Sequence, residues 1–176
     1  MKKITLVLTF IGMINFIGCT KTEIVERETI VERDLQDNDT YSEVFELRNV
    51  NFVLNNGVYE IFRTLNPNIL SSDQILIYRM SGTVNPTTPI WQLIPRTIYF
   101  PNSSNELDYD YDFSRVDFSI TASGNFNIST RPEYLNNQTF RIVIVPGYFS
   151  GRFDTSNINT VMSHIGKTET DVKMMN

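Results

Sequence analysis

The sequence predicts an all-β fold: a β-sandwich of antiparallel strands, either Ig-like or an open barrel, with a short C-terminal helix. Three observations carry this. From Tyr41 to Val145 short segments alternate apolar and polar residues with a period of two, or are apolar on both faces. Turn-forming clusters such as Asn56-Gly57, Asn66-Pro67-Asn68 and Pro101–Asn105 separate them. No strand–helix–strand rhythm appears, so parallel crossovers are not expected.

The elements follow in order. Phe45 and Leu47 share one face, and Val50, Phe52 and Leu54 continue in the opposite phase, which predicts a β-bulge near Arg48-Asn49. Asn56-Gly57 suits a type I′ turn, whose two central residues need positive φ. Counting across it sets Leu54 opposite Tyr59 and Phe52 opposite Ile61, a self-consistent hairpin over Val50–Arg63. Gln74–Met80 is apolar on both faces and reads as a central strand, followed by a loop over Gly82–Pro89. Ile90–Ile94 reads as an edge strand closed by Pro95, with Thr97–Phe100 resuming beyond the bend. Leu107, Tyr109, Tyr111 and Phe113 face one way and Asp108, Asp110 and Asp112 the other. A two-residue turn at Ser114-Arg115 would set Phe113 opposite Val116 and Asp112 opposite Asp117. Beyond it the strand bends, or a new one starts, at Gly124. Arg131–Leu135 reads as one helical turn opened by Pro132. Gln138–Val145 is a second buried strand. Ile158, Val161, Met162 and Ile165 recur at helical spacing between capping candidates Asp154–Ser156 and a stop at Gly166. Thr168–Asn176 is expected to fray.

The N-terminus sets the location. Lys2-Lys3 precedes an apolar run, Ile4–Ile17, that ends in Gly18-Cys19. A positive start, a short apolar stretch and a small residue before a cut describe a secretory signal. A membrane-spanning helix would need roughly 20 apolar residues. Cys19 is the chain's single cysteine, so no internal disulfide can form, and a lone exported thiol calls for another use. Phe16-Ile17-Gly18-Cys19 resembles the bacterial lipobox, with Phe16 where leucine is usual. The resemblance implies that Cys19 is acylated and becomes the first mature residue. Each buried methylene of an acyl chain adds about 0.8 kcal/mol of membrane affinity, so a multiply acylated Cys19 would anchor the chain. The expected layout is a signal peptide over 1–18, a charged tether over 19–40, a β-sandwich over 41–166 and a disordered tail over 167–176. The tether contains a near-repeat, Glu23–Glu28 and Thr29–Asp34, whose six-residue period does not fit a coiled-coil seam.

Removing residues 1–18 takes two lysines from the 15 basic residues and leaves 13 against 20 acidic ones, a formal charge of −7. That balance argues against nucleic acid and against docking on anionic lipid. No phosphate-cradling glycine motif is present, so no cofactor is expected. Asp108, Asp110 and Asp112 open like a calcium loop, but Phe113 and Ser119 stand where its glycine and final glutamate belong. An acidic sheet face without metal is therefore expected. His164, the single histidine, lacks companions for a zinc site, and no Gly-x-Ser-x-Gly marks a nucleophile. These observations predict no catalytic centre. Trp91, the single tryptophan, is the candidate for stacking on a sugar ring.

Asp117-Phe-Ser-Ile120, Gly124-Asn-Phe126, Pro132-Glu-Tyr134 and Asn137-Gln-Thr-Phe-Arg-Ile-Val-Ile-Val-Pro146 resemble matching stretches of small lipoproteins of flavobacteria and other Bacteroidota. Many of those carry a collagen-like stalk where this chain has its Val-Glu-Arg repeat. The resemblance implies an envelope lipoprotein, expected at the outer membrane, with a β-sandwich, and it transfers no activity. The lipobox and the lack of a catalytic constellation lead to the expectation of a non-catalytic role in structure or interaction. The expected partners are the membrane, through lipidated Cys19, and a protein or glycan not specified by the sequence.

Overall fold

A computed structural model describes residues 42–149 and 153–175. The signal peptide, Cys19 and the tether lie outside the described residues. Among the described residues there are ten strands and one α-helix: β1 Glu43–Val50, β2 Val53–Asn55, β3 Val58–Thr64, β4 Gln74–Asn85, β5 Thr88–Leu93, β6 Arg96–Tyr99, β7 Glu106–Phe113, β8 Asp117–Gly124, β9 Gln138–Val145, α1 Ile158–His164 and β10 Val172–Met174. They form two five-stranded sheets, ordered β10-β1-β9-β4-β5 and β2-β3-β8-β7-β6. Every pairing is antiparallel except that of β1 with β10. The expected all-β sandwich with a short helix is the fold found.

Alternation decides which side chains meet. Leu47, Ile75, Ile77, Phe140 and Ile142 of the first sheet pack with Ile61, Leu107, Tyr109, Phe118 and Ile120 of the second in one apolar cluster. The first sheet also buries a second set. Val44, Tyr78, Val143 and Val145 pack with Ile158, Val161, Met162 and Ile165 of the C-terminal segment. β9 is therefore covered on both faces, and all eight of its residues are buried. Helix α1 starts at Asn157, whose side chain accepts from the Asn159 and Thr160 N–H groups. It ends with Gly166 at φ +67°, where Lys167 N–H bonds Met162 O at 2.8 Å. The cap lies one residue beyond the expected Asp154–Ser156. Asp154 instead takes the Ser156 N–H and hydroxyl in the turn leading in.

The bulge appears as a register shift between Leu47 and Val50, with Asn49 at φ 53°. Asn56 (φ 49°) and Gly57 (φ 87°) make the first hairpin turn, and Leu54 pairs with Tyr59. Phe52 and Ile61 are both buried, but the ladder stops at Val53–Glu60.

Four expectations need correction. The second hairpin pairs Phe113 with Phe118, two residues later than the two-residue turn implied. Ser114–Asp117 forms the turn, closed by Ser114 N–H to Asp117 O at 2.9 Å, and its Val116 and Arg115 carbonyls accept from Leu65 and Ile69. The expected loop over Gly82–Pro89 is mostly strand, with Asn85 paired to Thr88 across a tight turn. Pro89 is tolerated because β5 is an edge strand. β8 ends at Gly124, where an added Cβ would meet Glu106 O at 2.8 Å so that only glycine fits, and a 3₁₀ turn follows at Ile128–Thr130. The expected helical turn at Pro132–Tyr134 is present, also as 3₁₀.

The tail, expected to fray, is built onto the first sheet. Glu169–Asp171 forms a 3₁₀ turn, and β10 adds to β1 with Val172 opposite Val44. Met175 N–H bonds Glu46 O at 3.0 Å, and Lys173 pairs with Glu43. Truncation after Lys167 is accordingly expected to lower stability by about 1.5–3 kcal/mol, the value of uncovering one aliphatic side chain. Urea unfolding of the truncated chain checks this, and an unchanged midpoint would restore the frayed tail.

Candidate functional site

The structure gives the sequence candidates different standings. Trp91 lies on edge strand β5, half-buried against the outer apolar cluster. The Arg141 guanidinium covers its ring at 4.5 Å from the centroid. That stacking position is filled from within the protein.

His164, at the end of α1, is exposed and stacks on Phe153 with centroids 4.2 Å apart. Among the described residues no side chain hydrogen-bonds or ion-pairs with it. A Ser–His–Asp arrangement is thus not assembled on His164 there.

The acidic strand also changes meaning. Asp112 faces Ser119 and not Asp117, so the expected like-charge pair does not form. Asp117 accepts the Ser114 hydroxyl at 2.5 Å, and Thr97 donates to Asp108 at 2.5 Å. Arg115, in the turn between Asp112 and Asp117, donates through Nε to Ile69 O at 3.0 Å. Among the described residues no three His, Cys, Asp or Glu side chains are grouped to hold a metal ion.

Two constellations escaped the sequence reading. The first is charged and buried. Arg141 on β9 donates to Glu46 on β1 at 2.6 Å, and both side chains are 4% exposed. Arg141 also reaches Glu169 at 2.6 Å, and Glu46 takes a second pair from Arg48. Burial opposes the guanidinium charge, but the bonds to Glu169 and Glu46 outweigh it and raise the Arg141 pKa above its ordinary value. The group ties β9, β1 and the segment after α1 together beneath Met162, whose Sδ lies 4.0 Å from Arg141. A related contact closes one end of the sandwich, where Arg79 donates to Gln138 at 2.8 Å and its guanidinium sits 4.6 Å from the Tyr109 ring centroid. The signal was present as a charge inside an apolar strand, at Glu46 in Val-Phe-Glu-Leu, Arg79 in Ile-Tyr-Arg-Met and Arg141 in Phe-Arg-Ile-Val.

Two tyrosines of β7 tie the second sheet to its surroundings, the half-buried Tyr111 to the first sheet and the buried Tyr109 to the 3₁₀ turn at Pro132–Tyr134. Tyr111 OH donates to Ile75 O at 2.8 Å, and Tyr109 OH to Tyr134 O at 2.6 Å. Burial pushes both phenol pKa values up, so both remain donors at neutral pH.

The second constellation is a cleft of about 370 Å³ where the β2–β3 ladder opens, lined by residues that include Asn51, Val53, Asn55, Glu60, Phe62 and Arg63. Glu60 is held by the Ser119 hydroxyl and by Asn55 Nδ2 at 3.0 Å. Those two bonds lower its pKa below the usual carboxylate value and keep it ionised at neutral pH.

No family model matches the chain, and no curated protein or solved structure is significantly similar to it. Among the described residues no helix is long and apolar enough to cross a membrane.

The buried pair yields a quantitative expectation. Glu46→Ala leaves Arg141 buried with only the exposed Glu169 for a partner, and should cost about 3–5 kcal/mol. The double variant Glu46→Leu/Arg141→Met, which removes both charges, should be more stable than Glu46→Ala. Urea unfolding of the three chains measures the difference, and equal midpoints would contradict it.

Proposed function

We propose that the chain is a lipid-anchored lipoprotein of the cell envelope, whose β-sandwich has a non-catalytic interaction or structural role. The observation that carries the reading is Lys2-Lys3, the Ile4–Ile17 apolar run and Phe16-Ile17-Gly18-Cys19, with the chain's one cysteine at the end. Acylation of Cys19 would use a thiol that has no partner cysteine for a disulfide. The likeness of Asp117–Pro146 to Bacteroidota lipoproteins supports placement at the outer membrane. Within the β-sandwich the polar groups described above are engaged in bonds that tie its parts together. Arg141 links strands to the C-terminal segment, and Tyr109 and Tyr111 link sheet to sheet or turn.

The charged residues 19–40 would then space the β-sandwich from the bilayer. The acidic mature chain would be held by its acyl chains and not by attraction to anionic headgroups.

Protease treatment of intact cells tests location and anchorage together. Loss of the β-sandwich to the protease would put it on the cell surface, and Cys19→Ala is expected to leave the membrane fraction. Protection in intact cells would turn the domain toward the periplasm. Retention of Cys19→Ala in the membrane would overturn the lipoprotein reading.

A further inference from the structure

The C-terminal segment covers the outer face of the first sheet, but among the described residues nothing packs across the outer face of the second. Its outward positions are mainly polar: Glu60, Ser119, Thr121 and Asp112 come together across β3, β8 and β7. Phe62 stands among them, opposite Ser119 and 51% exposed, and Val53 lies diagonally across on β2. About half of Phe62 is open to solvent, beside the exposed Val53, in the lining of the cleft.

The opening beside Phe62 has a structural cause. β2 pairs with β3 only from Val53–Glu60 to Asn55–Val58, while β3 runs on to Thr64. Continuing that register would bring Asn51 opposite Phe62. Instead Phe52 gives its N–H to Leu135 O at 2.9 Å, and Asn51 Oδ1 accepts the Asn137 N–H at 2.8 Å. These bonds draw the strand aside and leave the cleft.

The lining combines hydrogen-bonding groups of both senses around one ring. Glu60 offers carboxylate lone pairs, and its position is fixed by Ser119 and Asn55. Asn55 keeps an amide oxygen, and Asn51 keeps its amide donors. Arg63 donates through Nη1 to Phe62 O at 2.9 Å, while its buried Nε has no acceptor among the described residues. The carboxylate and the guanidinium balance in charge.

We propose that this cleft binds a neutral pyranose unit of a glycan. Sugar hydroxyls donate and accept together, which matches Glu60, Asn55 and Arg63, and the C–H face of the ring matches Phe62. The balanced charge favours a neutral sugar over an anionic one. A peptide adding as a strand fits less well, because β2 still occupies β3 from Val58 to Glu60 and leaves only a short edge. The site is distinct from Trp91, whose ring Arg141 covers. The proposal deepens the interaction role inferred above and rests on it for its biological setting. The binding itself depends only on side chains of the sandwich.

The test uses the full chain in detergent, titrated separately with maltohexaose, cellohexaose and fully N-acetylated chitohexaose to about 10 mM while amide NMR shifts are followed, enough to register a Kd of about 1 mM. At least one sugar is expected to shift residues 51–63 and Ser119. Phe62→Ala and Arg63→Gln should each weaken that binding at least about tenfold, roughly the loss of one good contact. Tyr99→Ala, an exposed aromatic on the far edge of the same sheet, should leave it unchanged. Unperturbed amides in the first sheet would verify that each variant is folded. No shift with any of the three sugars overturns the proposal. So does a shift centred elsewhere, or one insensitive to both cleft variants. Binding of an extended peptide along β3 in place of sugar overturns it too. Loss of membrane association by the wild-type chain would count against the anchor alone, since the titration reads the cleft directly.

Discussion

Much of the structure depends on β9, a strand with no face left to water. Its inward side chains fill the sandwich and its outward ones lie beneath the C-terminal segment. Arg141 sits in that outward row, and a buried cation without a partner would cost several kcal/mol. Glu46 on the neighbouring strand and Glu169 beyond the helix meet that need. The constraint therefore reaches well past the pair itself. It sets β1 beside β9 and holds the segment after α1 against the sheet, with Trp91 over the guanidinium. The short parallel strand β10 then adds to an edge that β1 already presents.

What could be read from the chain was what neighbouring residues decide. The Arg48-Asn49 bulge and the Asn56-Gly57 hairpin were legible because a phase slip and positive-φ residues are local signals. β4 and β9 were legible because burial on both faces leaves an apolar run. The second hairpin was misplaced by two residues because its turn is held by distant partners, with Leu65 and Ile69 bonding the Val116 and Arg115 carbonyls. A shift of two keeps every side chain on its expected face, so the alternation could not reveal it. Pro86 and Pro89 read as loop, yet one falls in a tight turn and the other on an edge strand. β10 has three residues and no periodic signature, and it exists only because β1 has an open edge.

The candidate sites divide in the same way. Cys19 depends on local sequence and lies outside the described residues. Trp91 drew attention by its rarity and its ring, but an arginine from another strand covers it. The β2–β3 cleft was not legible, since it arises where Phe52 leaves its ladder for Leu135, more than eighty residues along the chain. Its one trace was Phe62, an aromatic in the outward phase of a strand whose inward phase holds Tyr59 and Ile61.

The proposed anchor and the sandwich meet in one claim, that the mature chain begins at an acylated cysteine and carries the β-sandwich at a membrane. Intact-mass and tandem mass spectrometry of the protein purified from its own membranes tests that claim most directly. The account expects residues 1–18 to be missing and Cys19 to be N-terminal, with diacylglycerol in thioether linkage to Sγ. An unmodified Cys19, or a mature chain that starts anywhere else, would contradict it.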